Sequence, residues 1–496
     1  MERYTIYHCH TNRSLLDSCT GYKEYADRVS ELGYKALALT EHGNAYNWVE
    51  KKMYINSKGL KYIHGVECYL TASLEEKVRD NYHTILLAKN YEGVKEINLL
   101  IDKSTQPDHR YYKPRITFEE FFNISDNVIK ISACLASPLN KYPKDIQKQI
   151  AEKSAALKQE LANKVAELEK QKNDQKAMIK WFKQFDDFEE EELPWVINRC
   201  IPGDSYLHYI EAQIDKLKQY YDNLLEEVQL MNVTARETFY KLLETYDYYE
   251  IQPHDFPEQK RYNEFLYAAS KQTGKPLIAG TDTHSIDYYK AECRSILQKA
   301  KRIEYADEDK FDLTLKTYEE LVEMFRVQNC DIPFDVILQA IENTNVMADS
   351  VTDFELDTSV KYPKLYDNEE EVLKKRIFDK LHEKIDAGII KKKKIPEYVK
   401  RIKEEMRVFK KINMIGFMLF MSELVCWCWE NGIPVGPCRG SVGGSTVAYI
   451  TDIIDVDPVI WNTIFSRFAN EDREEVGDID LDISPDQREL VYNHII

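Results

Sequence analysis

No apolar run in this chain of 496 residues is long enough to cross a bilayer. The most apolar window, Met414 to Trp429, is short and broken by Ser422 and Glu423, and the start, Met1 to Thr5, has neither the basic segment nor the apolar stretch of a signal peptide. No membrane partner is therefore expected, and the expected location is cytoplasmic. The ten cysteines include no C-x-x-C pair, and Cys426 and Cys428 are too closely spaced for an ordinary zinc hook, so they read as reduced thiols. Basic residues are in deficit, 67 against 85 acidic, for a net charge of −18. Such a surface repels a polyanion overall, and any nucleic-acid contact must be local. The strongest basic island, Lys391 to Lys411, holds ten basic residues against three acidic; it can follow a DNA backbone or pair with neighbouring acidic helices. No G-K-[ST] triplet occurs, which excludes a Walker A loop.

What is present suffices for packed cores: 43% hydrophobic and 12% aromatic residues, enough for two to four domains and too much for a largely disordered chain. Up to about residue 135, short apolar runs (Thr5 to Tyr7, Ala36 to Leu39, Ile85 to Leu87) alternate with helical patterns such as Tyr22 to Leu32. That is the rhythm of an α/β domain with a largely parallel sheet. Neither glycine nor proline occurs between Lys144 and Leu193, where Ile146, Ile150, Leu157, Leu161, Val165 and Leu168 keep a mostly three-and-four spacing. One or two long helices in a projecting hairpin are predicted. A second helical stretch covers Tyr206 to about Tyr248 before strand-like Pro276 to Gly280 resumes the α/β pattern, so the helices read as insertions at about 144–193 and 206–260. From Tyr288 the chain is mostly helical, up to a glycine-rich turn at 436–444 and a final strand at 476–483. Two domains are expected, 1–287 and 288–496.

Nine of the eleven histidines precede residue 285, and His8 and His10 come directly after a strand. Positions i and i+2 there share a side and can share a metal. Asp17, Glu41 with His42, Glu67, His83, Cys134, Asp282 and His284 mostly lie at or near the ends of strand-like runs, and in parallel α/β folds the strand C-termini meet on one face. The residue types alone fit either a metal cluster or polar residues satisfied within a core.

The segments His8 to Asp17 (HCHTNRSLLD), Leu39 to Asn44 (LTEHGN), Gly65 to Tyr69 (GVECY) and Ala279 to His284 (AGTDTH) closely resemble the polymerase and histidinol phosphatase (PHP) domain. That domain opens the bacterial C-family replicative DNA polymerases, the alpha subunits of DNA polymerase III. The resemblance implies an α/β fold, a distorted (β/α)7 barrel with helical insertions. By motif match it places metal ligands at His8, His10, Asp17, His42, Glu67, His83, Cys134, Asp282 and His284, for about two or three divalent ions, Zn2+ or Mn2+. Farther on, Gly432 to Tyr449, Arg467 to Arg473 and Asp478 to Ile483 resemble the first part of the same polymerases' palm, a polymerase-beta-like nucleotidyltransferase fold. The likeness runs in order from residue 4 to about 493, outside the insertions. It departs from the family at Glu41 for the usual Asp, Cys438 for Gly and Gly477 for Pro. The family's third palm carboxylate, thumb, fingers and C-terminal domains would follow the point at which this chain stops, and no inserted exonuclease of the acidic-motif type is found.

Asp478 and Asp480 alternate with Ile479, Leu481 and Ile483, predicting a strand with one carboxylate face and one apolar face. Cα atoms at i and i+2 lie about 7 Å apart, so the pair can hold two Mg2+ ions ~4 Å apart. One ion would activate a primer 3′-hydroxyl, and the other would hold the triphosphate; Asp482 shares the face. A solvated strand with a charged face fits this pattern equally well. Gly436, Gly440, Gly443 and Gly444, with Ser441 and Ser445, let backbone N–H groups turn inward, and a helix from Thr446 would bring its N-terminus near the anion. Gly440 and Ser441 resemble the family's element for the β- and γ-phosphates, with Arg439, Arg467 and Arg473 as neutralising cations. Trp427 and Trp429 read as core residues rather than base-stacking platforms.

Three functions are consistent with these features. The leading one is the N-terminal part of a DNA-directed DNA polymerase, acting on primer–template DNA and deoxynucleoside triphosphates. It would be inactive alone for want of the third carboxylate, and completed by a complementing C-terminal chain or by further sequence. The resemblance also implies a sliding clamp and other replisome proteins as partners. The second makes the PHP site a metal-dependent phosphoesterase or 3′-to-5′ exonuclease. The third is a non-enzymatic, metal-stabilised scaffold in a replication complex, with partner-binding helices at 145–260.

Overall fold

Ala36–Leu39 is buried at every position, which puts it inside a sheet and not at an edge. This strand, β1, pairs parallel with β2 (Lys61–Thr71), and β2 pairs antiparallel with β3 (Tyr82–Ala88). β3 is antiparallel to β5 (Val128–Ile131), while β4 (Arg115–Thr117) lies parallel to the far end of β2. The largely parallel sheet expected from the sequence is thus interrupted at β3. Only residues 72–81 separate β2 from β3, too few for the crossover helix that a parallel return requires. β6 (Tyr249–Ile251) and β7 (Leu277–Ala279) form a parallel pair. Isolated bridges join Ile131 to Tyr248, Thr283 to Cys9 and Ile6 to Leu37. Among the described residues, the pairings therefore run from 5–10 through β1, β2, β3, β5, β6 and β7 and back to 5–10.

This computed structural model describes residues 3–75, 80–172, 174–182, 203–303, 311–357, 363–471 and 477–495. It separates into two units, Met1–Glu355 and Leu356–Ile496. In the first, helices α1 (Tyr22–Glu31), α2 (Trp48–Ser57), α3 (Tyr91–Thr105) and α4 (Phe118–Phe122) bury Tyr25, Ile55, Ile97 and Phe121 against the sheet. α5 (Pro138–Gln171) starts on a Ser137 cap with proline in its first turn, where the missing N–H costs nothing. After α6 (Gln175–Phe182), α7 (Gly203–Thr245) runs back along α5. Gln147 bonds to Asn232, Lys164 to Tyr221 and Tyr206 to the Gln171 carbonyl, an antiparallel hairpin between β5 and β6. Residues 173 and 183–193 of the predicted helical stretch lie outside the described residues.

α8 (Pro257–Thr273), α9 (Tyr288–Lys301), α10 (Tyr318–Gln328) and α11 (Phe334–Ser350) complete the unit. The division falls at 355/356 and not at the expected 287/288, because α10 and α11 insert Leu321, Phe325, Ile337 and Ile341 into the first unit's core. Met347 and Ala348 join Ala38, Ile63 and Ile85 in its inner cluster.

The second unit contains α12 (Glu369–Asp386), α13 (Ile395–Lys411), α14 (Ile415–Glu430), the short α15 (Thr446–Ile450) and α16 (Arg488–Ile495). Leu373, Phe409, Leu419, Val447, Ile450 and Phe468 form its main core. The strand predicted at 476–483 is extended in its described part but makes no ladder: one antiparallel bridge joins Ile483 to Val435, and Gly436 N donates to the Asp482 carbonyl at 2.9 Å. The alternation survives without the ladder, with Asp478, Asp480 and Asp482 exposed and Ile479 and Leu481 packed on the core.

Candidate metal centre and glycine loop

Glu67, buried in the middle of β2, is the hub of the polar cluster. Its Oε2 lies 3.0 Å from His10 Nε2, 3.0 Å from His42 Nδ1 and 3.7 Å from His8 Nε2, and its Oε1 touches His83 Nδ1. Asp282 Oδ1 stands 3.1 Å from His8 Nε2, 3.4 Å from His10 Nε2 and 3.1 Å from His284 Nε2. Asp17 Oδ2 is 2.8 Å from His42 Nε2, and Cys134 Sγ is 3.7 Å from His83 Nδ1. The structure thus brings together all nine positions named from the motifs. Three subsets, His10/His42/His284, His8/His10/Glu67 and Glu67/His83/Cys134, each have ligand atoms within 4.8 Å of one another. Most members are sealed from solvent; the side chains of His42, Asp282 and His83 keep 16%, 17% and 23% exposure and mark the mouth of the site.

A divalent cation fits this arrangement. His8 Nε2, His10 Nε2, His42 Nδ1 and both Glu67 oxygens are buried without a hydrogen-bond partner, although they face one another at contact distance. Each such atom costs about 1–3 kcal/mol when left bare. Mixed nitrogen, oxygen and sulfur donors suit a divalent metal ion. The carboxylates are held ionised, the form that binds a cation. Burial works to raise the Glu67 carboxyl, but the His83 and His42 charges hold it well below the usual carboxylate range. Asp282 is held down against burial in the same way by His8 and His10, and Asp17 by His284, His42 and Arg294. Burial, followed by the Asp282 and Glu67 charges, pushes the Cys134 thiol well up. Against its own burial, His42 is pushed up to about 10 by Glu67 and Asp17.

Other residues frame the site. Glu41, the departure from the family's Asp, is buried and turned to Lys51 Nζ at 2.6 Å, Ser14 Oγ at 2.7 Å and Thr11 N at 3.0 Å, so it anchors the loop between His10 and Asp17. The sequence reading passed over Arg294 of α9, whose Nε donates to the Asp17 carbonyl at 2.7 Å and to Oδ1 at 3.0 Å; nothing in its sequence setting marks it. It also passed over Glu250, whose one signal is an acid inside the apolar strand Tyr249–Ile251.

In the second unit the glycine loop lies along the aspartate segment. Gly440 has φ +74°, where a Cβ is strained, and one added there would stand 3.5 Å from Asp480 Oδ2; at Gly436 it would meet Asp482 Cβ at 2.8 Å. Arg439 donates to Asp482 Oδ1 at 2.9 Å and its Nε is 3.6 Å from Asp480 Oδ2, so this cation sits on the carboxylates. Asp478 is exposed and Ser441 half-buried. Arg467 is exposed on the turn Phe465–Arg467, and Arg473 lies outside the described residues. The helix N-terminus expected to face an anion is already filled: Glu405 accepts Thr446 N at 2.8 Å, Val447 N at 2.9 Å and Ser445 Oγ at 2.8 Å. Trp427 stacks on His494 with ring centroids 3.8 Å apart, whereas Trp429 is 47% exposed and not core. In the basic island, Lys410 pairs with Glu370 and both Arg407 and Lys411 with Glu471, while Arg401 caps the Gly444 and Pro458 carbonyls.

The PHP domain family matches residues 7–173, and the bacterial DNA polymerase III alpha NTPase domain family matches residues 371–496. The DNA polymerase III subunit alpha of Aquifex aeolicus is 27% identical over 510 residues, covering 98% of this chain. The chain is a homologue of the DNA polymerase III alpha subunits. Those of Campylobacter jejuni and Helicobacter pylori (strain 26695) are each 26% identical, over 100% and 99% of it. The chain spans 37% of the Aquifex and Campylobacter subunits and 36% of the Helicobacter one. Seven of the nine clustered residues, His8 to Cys134, lie within the PHP match and Asp282 and His284 beyond it, while the glycine loop, Asp478 and Asp480 lie within the NTPase-domain match. Among the described residues no single helix is long and apolar enough to cross a membrane.

Proposed function

We propose that this chain works as the N-terminal part of a replicative DNA polymerase, with a PHP unit holding two or three divalent ions and a palm segment whose Asp478 and Asp480 bind Mg2+. The observation that carries this reading is the co-linear relationship to the alpha subunits along 98% of the chain. The closed order of strand pairings supports reading the first unit as a distorted (β/α)7 barrel with the α5–α7 helices inserted. The proximity of the glycine loop to Asp480 and Asp482 supports reading the second as a nucleotidyltransferase palm. In that role Arg439 would leave the carboxylates for the triphosphate, joined by Gly440, Ser441, Arg467 and Arg473. Exposed Lys391, Lys392, Lys393, Lys400 and Lys403 would face the DNA backbone. Primer–template DNA, deoxynucleotides, the rest of the polymerase, a sliding clamp and other replisome proteins are the corresponding partners, in the cytoplasm.

A second activity is favoured by one observation: the PHP cluster has all of its motif ligands within one unit, several of their atoms unpartnered. Divalent ions bound there would polarise a phosphoryl oxygen and acidify a water. His42, His83 and Asp282, at the mouth, would meet the phosphodiester, while Glu67 and His10 hold the interior. Two measurements test these readings. Primer extension is run with this chain plus a chain supplying the remaining palm, thumb and fingers. Templated extension that disappears with Asp480→Ala supports the polymerase reading, and full activity of that variant refutes the assignment of Asp480. Hydrolysis of single-stranded DNA is then compared for Asp282→Asn and Asp478→Asn. Loss in the first alone supports a PHP phosphodiesterase, and loss in the second alone reverses it.

A further inference from the structure

Beside the nine clustered residues lies a further acidic side chain that no motif singles out. Glu250, central in β6, is wholly buried. Its Oε1 is 2.7 Å from His8 Nδ1 and accepts Gln252 Nε2 at 2.7 Å, and its Oε2 accepts the Tyr7 hydroxyl at 3.0 Å. Its backbone N–H donates to Ser132 Oγ at 2.9 Å, which fixes the strand beneath it. The chain also keeps space for it: at Gly280, one residue past β7, a Cβ would stand 2.3 Å from Glu250 Oε1.

A neutral imidazole carries one ring proton, and the partner of one nitrogen decides what the other offers. A carboxylate can only accept, so the His8 proton resides on Nδ1. The Nε2 lone pair is left toward Asp282 at 3.1 Å and Glu67 at 3.7 Å, without an aligned hydrogen bond. His10 and His284 obey the same rule with weaker partners. His10 Nδ1 lies 3.1 Å from Ser14 Oγ, whose own proton goes to Glu41, and His284 Nδ1 lies 3.0 Å from the Asp17 carbonyl. His284 Nδ1 also lies 3.5 Å from Oδ2 of Asp17, itself one of the nine, whereas His8 is the member of this trio hydrogen-bonded, at 2.7 Å, to a carboxylate outside the nine.

We propose that Glu250 is a positioning residue of the metal centre: it accepts a hydrogen bond from Nδ1–H of His8, locks the ring with Nε2 toward Glu67 and Asp282, and strengthens that nitrogen as a metal donor. The proposal rests on the reading of the cluster as a metal centre. Carboxylates placed behind metal-binding histidines typically change metal affinity by about 10–100-fold.

The test uses the whole chain, with Zn2+ affinity measured by competition against a chromophoric chelator and bound metal counted by elemental analysis. Glu250→Gln keeps an acceptor for His8 but removes the charge, and is expected to weaken binding about 10-fold; Glu250→Ala is expected to approach 100-fold. The discriminating measurement adds His8→Ala. If Glu250 acts through His8, the Glu250→Gln/His8→Ala pair binds no more weakly than His8→Ala alone, whereas a general structural role would weaken it further. Unchanged affinity in Glu250→Gln, or additive loss in the pair, overturns the proposal. Should Glu250→Ala fail to fold by circular dichroism, the two isosteric Gln variants decide the matter. A wild-type chain that binds no metal would overturn the metal-centre reading itself, an outcome distinct from metal-bound variants of equal affinity.

Discussion

Replacing Glu405 by alanine removes the acceptor of three donors at the start of α15. Thr446 and Val447 have no solvent exposure, so their N–H groups cannot turn to bulk water when the carboxylate goes. Each stranded buried donor costs about 1–3 kcal/mol, and with water partly filling the vacated space a total near 3 kcal/mol is expected. For a unit of this size, about 3 °C per kcal/mol puts the thermal midpoint some 10 °C lower. Glu405→Gln should fall about 1–3 kcal/mol short of wild type, because its amide group must confront a backbone N–H with a second donor. The pH dependence has a definite sign. Burial raises the Glu405 carboxyl above its ordinary value, partly offset by the Val447 and Thr446 N–H groups. A raised pKa means that the contribution is full below about pH 4.5 and declines as pH rises through the folded value, so the gap to Glu405→Gln should narrow toward neutrality. Scanning calorimetry of the full chain at several pH values reads both effects. A midpoint within about 2 °C of wild type for Glu405→Ala would refute the claim that this carboxylate fills the helix end.

Three further outcomes follow from the first unit. Glu41→Gln strands Lys51 in the interior and should cost about 3–5 kcal/mol at neutral pH by denaturant titration. Because Glu41 is held below its ordinary 4.5, against burial, chiefly by Lys51, wild type should lose this contribution as pH falls below that value, and the variant should have no such loss. Gly280→Ala should destabilise the chain by about 1–3 kcal/mol and lower Zn2+ affinity with Glu250 still present, since the new methyl displaces the carboxylate; unchanged chelator competition would contradict this. Cys134→Ser should weaken Zn2+ about 10-fold or more while leaving Mn2+ nearly unaffected, because only the softer ion depends on sulfur; elemental analysis after equilibration with both ions checks it.

Residue patterns carried the α1 helix and the α5–α7 hairpin, which follow from a local period near 3.6, and β1, which follows from a short continuous apolar run. They also marked the nine residues that gather around Glu67, since a motif fixes which chain segments meet. What escaped were relations between distant segments. Nothing in the β3 sequence says that it runs antiparallel, as direction depends on the connection and not on the strand. α10 and α11 look like any amphipathic helices, and only the packing of Leu321, Phe325 and Ile341 reveals whose core they join. The 477–483 segment has the alternation of a strand, but a strand needs a partner along its length, and Val435 supplies only one bridge. The helix end at Thr446 was open in sequence and is closed in space by Glu405, 41 residues away in the chain.

The bridge between Cys9 and Thr283 is where the first and last segments of the strand circuit meet. Four of the nine clustered residues, His8, His10, Asp282 and His284, are the immediate neighbours of those two residues. The joint also holds a hydrogen bond between Ser18 and His284, 266 residues apart. Bringing such distant parts together is entropically costly and tends to come late, after local contacts have formed. Metal bound at this cluster would act as a clasp: it would be captured only once the circuit had closed, and would then slow reopening at the seam. The hairpin helices, spliced in between β5 and β6 away from that seam, can vary in length without loosening the clasp.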